Sequence, residues 1–243
     1  MSMDTQLLDP VVDGLYGLIR TGELSPGQRV DQRAISERLN VSRTPLREAL
    51  RALAADGILV RTHNAGYDVA KLSAADLLQY YSIRTFLETE ILKTIEWPND
   101  EQFAQLQQLN EECKKAAEEG PTERLVDANR RFHFLMFSWS PLTVMIGEVQ
   151  RVWRVSDPYR TLHLSNVGRR KQVSADHQKM LEAIGQRDST RLIKLMDSHR
   201  AASRKILQDM LGPTLSPALV SLPQSFAPSR GSRSRANSPT SIS

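Results

Sequence analysis

Between Leu24 and Val69 the chain carries a helix-forming stretch, a tight turn, a second helix-forming stretch with arginines at every fourth position, and a short β-ribbon. That order can place one helix in a wide groove and a ribbon beside it, which constrains both the fold and the partner. Asp31 can cap a helix through Leu39, and Asn40 suits the left-handed position that ends it. A second helix is predicted from about Arg43 to Ala55, with Pro45 tolerated in its first turn and Asp56-Gly57 closing it. Ile58–Thr62 and Tyr67–Ala70 read as strands around an Asn64-Ala65-Gly66 turn. Upstream, residues 6–21 are amphipathic, with Leu7, Leu8, Val11, Leu15, Leu18 and Ile19 at helical spacing, and Ser25-Pro26-Gly27 marks a turn.

In the second helix, Leu46, Ala49, Leu50 and Leu53 share one face and can pack on Ile35, Leu39 and the first helix. Arg43, Arg47 and Arg51 lie along another face. Arginine suits a groove-bound helix because its planar fork can bond guanine O6 and N7 together, or a phosphate. Ser42 and Thr44 at the helix N-terminus can donate to phosphates. Gly66 would permit close backbone approach to the minor groove, with His63 and Asn64 beside it. Arginines can also simply solvate a surface helix, but the adjoining ribbon favours DNA. Bulk charge does not help, because residues 1–72 hold nine Lys/Arg and nine Asp/Glu despite the chain's net +4. The placement of individual arginines carries the argument.

From Ser73 to Leu211 nearly every stretch is helical in period. Six helices are predicted, at roughly 74–95, 99–118, 122–138, 142–164, 168–186 and 189–211, with Ser73 and Asp76 at capping-box spacing. The fold class expected is mainly α: a winged helix-turn-helix of three helices and a two-stranded wing (residues 1–72), then an all-α antiparallel bundle (73–212). Residues 213–243, rich in Ser, Pro and Arg, read as a disordered tail. No apolar run approaches the roughly 18 residues of a membrane span. A single cysteine, Cys113, and an N-terminus without a basic or apolar leader point to a reducing, cytoplasmic setting.

Three of the five histidines can meet. His177 lies eleven residues before Asp188 and His199 eleven after it. A tight hairpin at Gln186-Arg187-Asp188 would bring both to one level, about 16 Å from the turn. Each aligns with apolar neighbours and so points inward. His133 shares the face of Leu125, Phe132 and Met136, with Asn129 one turn before it. Three imidazoles and an amide oxygen can hold zinc, nickel or copper. An inward histidine is otherwise an ordinary core residue.

Arg84 sits on a core-facing stripe with Leu77 and Ile91. A buried guanidinium needs an anion, and either Glu88 or a bound carboxylate could serve. Arg154, Tyr159 and His163 are further positions for the lining of such a cavity.

Leu24-Ser25-Pro26-Gly27, followed by the run from Ala34 to Leu50, resembles the winged helix of GntR-family bacterial transcription regulators across nearly all of residues 7–70. The resemblance implies that Arg33, Arg43 and Arg47 contact DNA, with Thr44 at the backbone and Gly66 in the wing, on palindromes bound by a homodimer. Asn129-Arg130-Arg131-Phe132-His133, Asp176-His177 and Arg187-Asp188 through His199 resemble the FCD effector-binding domain of the FadR-type branch. Metal-binding members use Asp, then His four residues on, then two more histidines. His133, His177 and His199 match, and Asn129 replaces the aspartate. The resemblance implies a repressor modulated by a carboxylate effector held between Arg84 and a divalent ion, zinc or nickel. A metal-dependent hydrolase on Asn129, His133, His177 and His199 is the rival, with Asp176 or Glu182 as general base and no role for the DNA-binding half.

Overall fold

The computed structural model describes residues 10–62, 66–164 and 167–211. Those residues form nine helices and one two-stranded ribbon. The sequence expectations for His63, Asn64 and the tail at 213–243, and for the first turns of the opening helix, lie outside them.

The N-terminal unit is α1 (Pro10–Arg20), α2 (Gln32–Leu39), α3 (Arg43–Ala55), β1 (Leu59–Arg61) and β2 (Tyr67–Val69). Helix α2 starts where Asp31 Oδ1 accepts from the Arg33 and Ala34 backbone N–H groups at 3.0 and 3.1 Å, and it ends at Asn40 with φ of 51°. Asn40 can hold that left-handed conformation because its short polar side chain tolerates it. Leu15 and Ile19 of α1 meet Leu46, Leu50 and Leu53 of α3 in one core, closed below by Leu59 and Val69 of the ribbon. The strands pair antiparallel with Leu59 opposite Val69 and Arg61 opposite Tyr67. A bridge between Arg29 and Asp68 adds a third short edge.

Six helices follow: α4 (Ala74–Lys93), α5 (Asp100–Glu119), α6 (Thr122–Phe137), α7 (Thr143–His163), α8 (Val167–Gly185) and α9 (Ser189–Leu211). The Ser73–Asp76 capping box forms, and Asn99 with Gln102 makes another. Helix α6 lies between α5 and α7, while α4 packs on α7 and α9, and α8 on α5 and α9. Phe132, Met136, Trp153, Met180, Leu192 and Met196 fill the centre. The α8–α9 hairpin turns at Arg187, whose φ is 53°, and Asp188 Oδ1 then accepts from the Arg191 N–H at 2.9 Å. Among the described residues no helix is long and apolar enough to cross a membrane.

Helix α7 joins the two units. Val155 belongs to the N-terminal core, Arg154 pairs with Asp56 at 2.8 Å, and Tyr159 Oη accepts from the Leu72 N–H at 2.6 Å. Arg154 thus bonds to the N-terminal unit and the Tyr159 hydroxyl to its last residue, Leu72, while the Tyr159 ring packs on Leu77 and Tyr81 of α4. The His163 side chain lies outside the described residues.

Candidate functional site

Two sites stand on this frame. The first is the exposed side of α2 and α3. Leu46, Ala49, Leu50 and Leu53 are buried, while Ser42, Arg43, Thr44, Arg47 and Arg51 are exposed. The amphipathic split thus turns the arginines outward. Ser42 caps α3 by backbone conformation alone, without a side-chain capping bond. Arg33, Glu37, Arg43 and Arg47 line a cleft of about 520 Å³ between the two helices. Arg33 is tied to Glu37 at 3.1 Å, an exposed pair that a phosphate can displace at little cost.

Gly66 differs from its sequence reading in one respect. A Cβ there would lie 2.6 Å from Arg29 Nη2 and 3.0 Å from Thr62 Oγ1, so the glycine makes room for an arginine of the protein itself. Gly66 is buried, and Arg29 is exposed with no ion pair among the described residues. Sequence reasoning missed Arg29, since nothing local ties it to a residue 37 positions away.

The second site lies inside the helical unit. His133, His177 and His199 each offer a ring nitrogen, and these nitrogens all lie within 4.8 Å of one another. His133 Nε2 and His177 Nε2 are 3.3 Å apart. The hairpin geometry read from the spacing about Asp188 is what brings His177 and His199 level, with ring centroids 5.5 Å apart. Phe132 stacks flat on His177 at 3.9 Å and fixes its plane. His199 Nδ1 lies 3.1 Å from Asp176 Oδ2, an arrangement that turns the other ring nitrogen inward. Burial pushes the Asp176 carboxyl up, yet hydrogen bonds from His199 and Gln172 outweigh this and hold it below the usual carboxylate range. Asn129, at 1% exposure, has neither amide atom hydrogen-bonded among the described residues. A buried amide without a partner is costly, so this one fits a position awaiting a ligand. The donor set of imidazole nitrogens and an amide oxygen fits a borderline divalent cation such as zinc or nickel.

Arg84 is buried as expected, and Glu88 is its partner, with Nε donating to Oε1 at 2.9 Å. Glu88 holds two groups that no sequence pattern indicated. Trp153 Nε1 donates to Oε1 at 2.6 Å and Arg200 Nη1 to Oε2 at 3.1 Å. Burial raises the Glu88 carboxyl, but Arg84 and Arg200 pull it below its ordinary value. Burial likewise acts to lower the Arg84 pKa, and the Glu88 charge reverses it. Arg84 stacks over Trp153 at 4.1 Å, and Trp153 lies 5.4 Å from the His133 ring. One guanidinium nitrogen, Nη1, has no partner among the described residues.

Residues 8–69 match the model of the bacterial regulatory proteins of the gntR family, and residues 79–202 match the FCD domain. The chain belongs to the GntR family. It is 27% identical over 172 residues to the uncharacterized HTH-type transcriptional regulator YdhC of Bacillus subtilis, covering 70% of this chain and 77% of that protein. It is 31% identical over 128 residues to the Nta operon transcriptional regulator of Aminobacter aminovorans, covering 52% of this chain and 60% of that one. The solved structure of Escherichia coli McbR/YncC shares the fold, with a TM-score of 0.73 at 20% identity over 85% of this chain and all of that one.

This GntR-family chain is therefore a transcription regulator and not an enzyme. Both bases nominated for a hydrolase have partners in this structure. Asp176 holds His199, and Glu182 pairs with Arg191 at the surface at 3.0 Å. Cys113 offers no nucleophile, since burial pushes its thiol up to about 12.

Proposed function

We propose that this regulator is a repressor that binds a palindromic operator as a homodimer and is modulated by a small carboxylate acting at a metal site in the FCD domain. The observation that carries the reading is the buried set of three converging imidazoles, with Asn129 one helical turn before His133 and its amide without a hydrogen-bond partner among the described residues. Asn129, His133, His177 and His199 would hold the cation, zinc or nickel. When bound, it supplies Lewis-acid coordination to an effector carboxylate. All four donors are neutral, so the ion keeps its charge for an anionic ligand. Arg84 retains one buried N–H group beyond its Glu88 pair, which gives the carboxylate a donor of its own.

On the DNA side, Arg43 and Arg47 read base edges from α3, while Arg33, Ser42 and Thr44 hold phosphates. At the wing, Arg29 resting on Gly66 is the cationic group presented to the minor groove. Homodimerisation is supported by Ile83 and Phe86, large apolar side chains about a turn apart and exposed on α4. Effector and operator then weaken one another through their preference for different domain arrangements.

A thermal-shift screen of carboxylic acids with and without Zn²⁺ or Ni²⁺ tests the site. The metal is expected to raise the melting temperature of wild type and to leave folded His177→Ala unmoved. Equal shifts in both proteins, or none in wild type, would place the metal elsewhere or nowhere. Operator selected from random DNA should bind less tightly once an effector is bound, and unchanged affinity refutes the modulation.

A further inference from the structure

Helix α7 carries, one turn apart, a residue at the histidine site and a residue gripping the DNA-binding unit. Trp153 lies against the His133 ring, and Asp157 is buried at 1% exposure. Asp157 Oδ2 accepts from Tyr16 Oη of α1 at 2.7 Å and from Arg130 Nη1 of α6 at 3.0 Å. Arg130 follows Asn129 directly and precedes His133 by three residues, and its guanidinium lies 4.6 Å over the Phe134 ring. One carboxylate oxygen thus ties the helix bearing two of the proposed metal ligands to the first helix of the other unit. That first helix shares its core with α3, where Leu15 and Ile19 meet Leu50 and Leu53. A movement of α1 is therefore a movement of the recognition helix.

We propose that Asp157 is the positioning residue through which occupancy of the histidine site reaches α3. The proposal rests on the metal reading above. A cation drawing Asn129 and His133 together acts on two positions of α6 that flank Arg130. Arg130 moves with its helix, its partner Asp157 follows, and the hold on Tyr16 changes. Close packing supports transmission, because a buried hydrogen-bonded carboxylate has no water to take over a partner it loses. The other junction contacts are poorer couplers. Arg154–Asp56 does not reach α6, and Arg20–Asp127, which also joins α1 to α6, is a 3.4 Å pair whose carboxylate is 48% exposed, so water can take over its partners.

The test is hydrogen–deuterium exchange of the full chain with and without saturating Zn²⁺, with zinc binding measured on the same samples. In wild type, zinc is expected to change the protection of α1 and α3 by about fivefold or more, the lower end of ordinary coupling factors. Tyr16→Phe removes a single hydroxyl and leaves the Arg130–Asp157 pair. It is expected to bind zinc with the same stoichiometry and to lose most of that response. Asp157→Asn should behave likewise, and Arg154→Ala, the junction control, should keep the response. Zinc binding that leaves α1 unchanged in wild type, or a full response in Tyr16→Phe, overturns the coupling while the metal site stands. No zinc binding at all removes the metal reading and the coupling with it.

Discussion

Replacing Glu88 with glutamine should destabilise the helical domain far more than loss of a surface charge does. Glu88 is fully buried and accepts from Arg84, Trp153 and Arg200. Removing one partner of a buried ion pair costs about 3–5 kcal/mol, because the remaining charge is left without compensation. Arg200 keeps hydrogen bonds to Asp197 and Thr89, so only Arg84 is stranded, with the ring faces of Tyr81 and Trp153 as partial compensation. The lower end applies, about 3 kcal/mol. With a urea m-value of about 2 kcal/mol/M, the unfolding midpoint should fall by about 1.5 M. Tryptophan fluorescence reports this domain specifically, since Trp97, Trp139 and Trp153 all lie in it. The pH dependence follows from the depressed Glu88 pKa. Its stabilisation is complete above the unfolded value of about 4.3 and disappears as pH falls through the lower folded value. The gap between wild type and Glu88→Gln should therefore be widest near neutrality and narrow in acid below about pH 4. A midpoint shift under about 0.5 M at pH 7, which is what a surface pair would produce, refutes the reasoning.

Two further perturbations separate DNA contact from folding. Arg47→Ala should weaken operator binding by about 1–3 kcal/mol per half-site, measured by fluorescence anisotropy, while leaving the zinc-induced melting shift intact. Wild-type operator affinity would remove Arg47 from the base-reading set. Gly66→Ala displaces the far end of the exposed Arg29 and needs Thr62 Oγ1, 3.0 Å from the new Cβ, to shift by a few tenths of an ångström, so its melting temperature should fall only slightly. Its operator affinity should fall as far as that of Arg29→Ala, and normal binding by both would leave Arg29 without a role in the wing.

What local sequence encodes survives in this structure with little change. The predicted helix boundaries from Ser73 onward hold to within two residues, because apolar period and capping residues are properties of neighbouring positions. The outward face of α3 was legible for the same reason. So was the level meeting of His177 and His199, since a helical hairpin converts equal spacing into equal height. The tertiary structure decided which partner each buried charge took. Periodicity places Arg84 in the core and is silent on Arg200, which reaches Glu88 from 112 positions away, and on Trp153, from 65. It also could not show that Arg154 bonds to Asp56 and Tyr159 to Leu72, or that Asp157 meets Tyr16 across 141 residues. A helix declares its buried face through its own sequence, but that face's neighbour depends on how the whole chain packs. Contacts between the units, including those through which the proposed metal site would act on DNA binding, are of that second kind.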